Sequence, residues 1–180
     1  MRRLMTPINI LGLLLLAITI GVREVVSRPP TAPSLPPLQL EAVQPQSVTL
    51  YFSNAQVDGY VKEQRTLQVE GKSPGKVAQA QLGAWVRGPL SGKGLRVVPQ
   101  GSTEPDVWVR GPHFVVNLPR SYAALSYGLG GERLIICTLT RTLLETGGKD
   151  VLFLVGGQGA PTLLGHLDLR RPWDKVDCAE

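Results

Sequence analysis

Two arginines, Arg2 and Arg3, precede an uncharged run from Leu4 to Val22, and a proline-rich stretch follows that run. A helix needs about 20 apolar residues, at 1.5 Å rise each, to cross a bilayer. This run is just long enough, and it is densest from Ile10 to Val22, with leucine at each of positions 13–16. Residues 1–27 are therefore expected to be a short cytoplasmic N-terminus and a transmembrane signal anchor. Arg2 and Arg3 would stay in the cytoplasm, leaving a single-pass protein of the cell membrane with its bulk on the extracytoplasmic side. Arg23 and Arg28, beyond the run, oppose that orientation. A signal peptide cut near Ser27 is the alternative, although no clear small-x-small cleavage pattern follows Ile20.

Residues 28–45 contain six of the fifteen prolines. Proline fixes φ and removes a backbone donor, so this stretch is expected to be an extended linker. At about 3.1 Å per residue it would span on the order of 50 Å. The spacings Pro30–Pro33 and Pro33–Pro36 match P-x-x-P, which chance supplies in any segment so rich in proline.

The remaining residues, 46–180, are long enough for one core. Ser47–Ser53 and Thr66–Glu70 alternate like strands, with Asp58-Gly59 as a turn signal between them. Ser73 has the chemistry of an N-cap, Pro74 suits the first helical position, and Gly88-Pro89 closes that helix. Further strands are expected at 95–99, 107–109, 114–118 and 151–155, with 163–169 as a hairpin partner for the last. A short helical turn falls near Ser121–Leu125. A second main helix spans Glu132–Glu145 on an apolar stripe through Leu134, Ile135, Leu139, Leu143 and Leu144. The order predicts an α+β fold, a small mixed sheet with two main helices packed on one face.

These segments resemble the GerMN domain family of sporulation and spore-germination proteins, from about Val48 to Pro172. Leu50-Tyr51-Phe52 stands at the family's V-x-V-Y-F strand. Ala80-Gln81-Leu82, Gly88-Pro89 and Gly94-Leu95 follow its helix and L-x-G-P…G-L pattern. Val98 to Ser102 is similar to its I-P-x-G-T turn, and Val115 to Pro119 to V-V-D-L-S. Glu132-Arg133-Leu134 with Thr142-Leu143 matches E…A-I-x-x-T-L, and Val151 to Gly157 matches V-x-F-L-I-D-G. Asn117 and Pro119 replace the family's Asp and Ser, Ser102 replaces Thr, and Gly156-Gly157 lacks the acidic residue before the glycine. The resemblance implies a small domain outside the cytoplasmic membrane, related to ring-building domains of envelope complexes. It carries over no catalytic residue.

The residues themselves point away from an enzyme. Ser73 and Lys76 match S-x-x-K, but the S-D-N and K-T-G elements of penicillin-recognising enzymes are absent. Gly71 to Lys76 is one residue short of a phosphate loop, and Val77 stands where Ser or Thr would reach magnesium. His113 and His166 fall in different expected hairpins, without further ligands at metal spacing. Hence no catalytic, cofactor-binding or metal residue is expected, and no cofactor. Cys137, inside the second helix, is most simply a small buried hydrophobe, since a bridge to Cys178 requires the tail to fold back.

The net charge of +5 falls to +3 from position 46 onward, without a basic stripe, so nucleic acid is not an expected partner. The expected partners are cell-envelope proteins or a second copy of the chain, with the membrane engaged through the N-terminal helix. The resulting reading is a non-enzymatic, membrane-anchored extracytoplasmic module acting by protein–protein assembly, in the setting of sporulation or germination. The alternative is an envelope ligand-binding protein contacting peptidoglycan or lipid, with glycine-rich turns at 128–131 and 156–159 lining its cleft.

Overall fold

The computed structural model describes residues 7–27 and 42–179. The chain divides into two units, Met1–Gln39 and Leu40–Glu180. Most of the linker, with its P-x-x-P spacings, lies outside the described residues, as do Arg2 and Arg3.

In the first unit, α1 spans Pro7–Val26, 20 residues. Its window Pro7–Glu24 has a mean hydropathy of 1.6 and none of it is buried. The Thr19 hydroxyl returns its hydrogen bond to the Leu16 carbonyl within the helix. The helix is long and apolar enough to serve as a membrane anchor or a signal sequence.

The second unit is a mixed α+β domain with its strands in two sheets. β1 (Val43–Ser53) and β2 (Tyr60–Glu70) form an antiparallel hairpin. β3 (Asp106–Arg110), β4 (His113–Leu118) and β5 (Asp150–Val155) form a second sheet, antiparallel between β3 and β4 and parallel between β4 and β5. α2 (Pro74–Arg87) packs on β1, β2 and β3, and α3 (Leu129–Leu144) packs on α2, β1 and β5. A 3-10 turn at Arg120–Ala124 stands where a short helical turn is expected.

β1 reaches back through Pro45 to Val43, into the stretch read as linker, and a ladder of only two strands tolerates proline at its edge. Its inward set, Val48, Leu50 and Phe52, is almost wholly buried. Asn54 shapes the turn: its side-chain oxygen accepts the Asp58 and Gly59 N–H groups, and its amide donates to Asp58. β2 starts at Tyr60, earlier than Thr66, because pairing with β1 organises the polar residues 62–65 that carry no apolar alternation.

Two of those residues tie the hairpin to α2. Arg65 lies over the Phe52 ring and donates to the Ala84 and Gly88 carbonyls, which the end of α2 leaves without helical partners. Glu63 pairs with Arg65 and accepts the Leu90 and Ser91 N–H groups. Burial pushes the Glu63 carboxyl up, but the bonds from Arg65, Ser91 and Leu90 outweigh it and bring the pKa down to about 2. A depressed carboxylate stabilises the fold above its unfolded pKa and stops doing so as pH falls through the folded one. Stability should therefore decline between about pH 4.5 and about pH 2. Thermal unfolding across that range checks this, and Glu63→Gln should flatten that part of the profile.

Two expected strands do not form. At 95–99 only Leu95 makes a bridge, to Ser53, while Val97 and Val98 are buried without a partner strand. At 163–169 the backbone is irregular because its N–H groups go elsewhere. The fully buried Glu132 carboxylate accepts those of Leu163, Leu164 and His166 at 2.9–3.0 Å. The antiparallel position beside Val151 is taken instead by Trp173, with 2.8 Å bonds in both directions.

The expectation for the cysteines is also corrected. Cys137 and Cys178 form a disulfide, with Cα atoms 5.3 Å apart. The tail does fold back, because α3 presents two arginines to its carbonyls. Arg133 donates to those of Asp177 and Ala179, and Arg141 to that of Cys178. Arg141 also lies over the Tyr60 and Tyr51 rings, so one guanidinium joins tail, helix and hairpin.

Candidate functional site

Strand alternation divides the residues of the three-stranded sheet between its two faces. Val107, Phe114, Val116, Val151 and Phe153 are buried on the inner face, on the side of α2 and α3. Among the described residues no element packs on the outer face, and its registered pairs form three rows across β3, β4 and β5. The middle row is Trp108, Val115 and Leu152, the first is Asp106, Asn117 and Leu154, and the third is Arg110, His113 and Asp150. Trp108 is 54% exposed. A soluble surface scatters its large apolar groups singly. Here a tryptophan, a valine and two leucines adjoin on one face, Trp108 exposed and Val115, Leu152 and Leu154 half-buried.

Hydrogen bonds fix the outer rows. Asn117 donates to Asp106 and accepts the Gly157 N–H at 2.6 Å, so it holds β3, β4 and the turn after β5 in place. The residue that departs from the family's Asp thus has a positioning role. His113 pairs with Asp150 at 2.8 Å. Arg110 has no hydrogen-bond or ion-pair partner among the described residues.

The apolar surface continues past β5 into a groove of about 410 Å³, lined by Leu152, Leu154, Ala160, Pro161 and Leu169, with Arg170 at its rim. Arg170 is already neutralised. Its side-chain and backbone hydrogen bonds hold the Asp168 carboxyl down at about 2. A second, smaller cleft of about 210 Å³ lies between the β1–β2 turn and the start of α3, lined by Val57, Leu95, Tyr127, Gly131 and Leu134. The two glycine-rich turns weighed from sequence therefore each contribute to a concavity, Gly131 to this cleft and Gly159 to the groove beyond β5.

The remaining sequence candidates have local duties. Ser73 caps α2, accepting the Lys76 N–H, and Pro74 opens the helix. His166 is exposed, and its backbone rather than its ring meets Glu132. His113 and His166 are not brought together with other ligands, and no cluster of three metal-binding side chains occurs among the described residues. The open sheet face escaped the sequence because Trp108 and Leu152 sit in strands read simply as apolar. The period-2 alternation within β3 was its one visible sign.

Solved structures show what this architecture is similar to. A Clostridium perfringens protein provisionally called a lipoprotein superposes with a TM-score of 0.52 at 17% identity, over 76% of this chain and 90% of its own. The tandem GerMN domains of the Bacillus subtilis sporulation protein GerM superpose with a TM-score of 0.56 at 20% identity, over 74% of this chain. The chain spans about half, 48%, of that tandem structure. No family model matches the sequence, and no curated protein matches it. At these identities the likeness concerns the fold, and the fold is GerMN-like.

Proposed function

From a GerMN-like fold with a membrane-length helix ahead of it, we propose that this chain is a non-enzymatic module of the cell envelope. Residues 1–27 anchor it in the cell membrane by a single pass, 28–45 act as the linker, and 46–180 assemble with envelope proteins on the extracytoplasmic side. A part in sporulation, the setting of the B. subtilis neighbour, belongs to the same proposal. The observation that carries it is the outer face of the β3–β4–β5 sheet, where the exposed Trp108 and the half-buried Val115 and Leu152 adjoin a groove on a domain whose helices α2 and α3 cover the opposite face. The Cys137–Cys178 bridge supports the compartment, since disulfides persist where thiols are oxidised. The fully structural duties of Ser73 and Glu132 favour assembly over catalysis.

The test is a crosslinked pull-down of the full-length chain from membranes of its host, beside a Trp108→Asp variant. The wild-type chain should recover one or more envelope proteins and the variant should lose them. Recovery that is unaffected by Trp108→Asp would remove the face from this reading. In the same cells, an extracellular protease should reach the domain in intact protoplasts; protection there would contradict the topology.

A further inference from the structure

We propose that the partner of this sheet face includes a second copy of the chain, packed face to face about a two-fold axis lying along the Trp108–Val115–Leu152 row. This rests on the assembly reading above and names the occupant of its surface.

The argument begins with β3, whose outward residues are Asp106, Trp108 and Arg110: an anion, an aromatic ring and a cation at equal spacing along one strand. Such a strand is complementary to its own reverse. A two-fold axis along the middle row reverses strand direction and sets Trp108 over its counterpart. It brings Arg110 over the second copy's Asp106, and Asp106 over its Arg110. Arg110 is exposed and has no partner among the described residues, and Asp106 receives only the neutral Asn117 amide. Arg110 and Asp106, neither of which has an oppositely charged partner among the described residues, are thus joined by the rotation. Sheets packed with aligned or reversed strands, about 10 Å apart, are an ordinary arrangement.

Other pairings satisfy these residues less well. Rotation about an axis along the strands places Arg110 over Asp150, which His113 already engages, and leaves Asp106 facing Leu154 with no cation; the row axis sets Asp150 over Leu154 instead, where the His113 hydrogen bond is kept. Edge-to-edge pairing of β3 gives the same charge pairs, but Gln79 blunts that edge. Its side chain accepts the Val107 N–H at 3.0 Å and donates to the Pro105 carbonyl. The face covers only three short strands, well below a typical stable interface of ~800 Å² per partner. Confinement of anchored chains to one membrane raises their effective concentration and compensates for that small area.

Because both native cysteines are bridged, Val115→Cys supplies a single reactive thiol close to the proposed axis. The full-length chain carrying it is reconstituted in phosphatidylglycerol–phosphatidylethanolamine vesicles and treated with a short bismaleimide. A covalent dimer should form, and adding Arg110→Asp or Asp106→Arg should reduce it roughly tenfold or more through like-charge contact. Combining the two substitutions should restore it, which also shows that both variants fold. Leu152→Glu should abolish the dimer, whereas edge pairing would leave it intact. Dimer that persists in either single charge variant or in Leu152→Glu, or no dimer at any surface density, overturns the proposal. Recovery of envelope proteins in the pull-down alongside any of these results leaves the assembly reading standing and removes only self-pairing.

Discussion

Replacing both bridged cysteines, as Cys137→Ala with Cys178→Ala, is expected to lower the unfolding free energy of the domain by roughly 4 kcal/mol, the loop-entropy scale for a bridge between positions this far apart. The bridge closes 41 residues of sequence, so the unfolded chain gains considerable freedom when it is lost. The native state loses order as well. Residues 177–179 are held on α3 by Arg133 and Arg141 through their carbonyls, and those bonds are retained only while the tail stays docked. Cys137 is fully buried near the middle of a helix whose residues 134–140 are all buried, so release of the tail opens the domain's most enclosed element. Denaturant unfolding of the full-length chain in detergent, with and without reductant, measures the effect. A midpoint indifferent to reductant, once thiol counting shows the bridge open, would refute this account of the tail.

The second large effect belongs to Glu132. Its carboxylate is wholly inaccessible and accepts three backbone N–H groups from 163–166. Burying an unpaired charge is costly, and here the amides of the loop supply the compensation. Glu132→Ala leaves one buried and two part-buried donors unpaired, at about 1–3 kcal/mol for the buried one and less where water reaches, so the loss should be about 2–3 kcal/mol. Glu132→Gln retains an acceptor for part of the set but turns an NH2 group toward the rest, and should lie between. Hydrogen exchange provides the local readout: the amides of Leu163, Leu164 and His166 should lose protection first. Equal protection in wild type and Glu132→Ala would show that the loop holds itself.

The disulfide and Glu132 also show where sequence reasoning stops. The β strands with clean alternation, both main helices and the Ser73 cap were legible because their signals are local: period, capping chemistry and terminating glycines. Leu163–Leu169 has a strand's alternation too, yet one carboxylate from 31 residues earlier takes its amides. Propensity carries no information about such a long-range competitor. The disulfide was hidden for the same reason, since the arginines that bring the tail back onto α3 are ordinary helix residues by composition. The open sheet face was half legible. The sequence shows Asp106, Trp108 and Arg110 alternating, but only the register with β4 and β5 reveals that Val115 and Leu152 complete a row, with both helices on the other side.

The central claim is that this open face is where the chain meets other envelope proteins. Photo-crosslinking in living host cells tests it most directly, with a photoreactive amino acid placed at Leu152 of the full-length chain, and at exposed Lys93 as a control away from the face. Protein adducts that form from position 152 and are absent from position 93 are the predicted result. Equal adduct formation at both positions, or none from 152 while 93 gives a defined product, would contradict it.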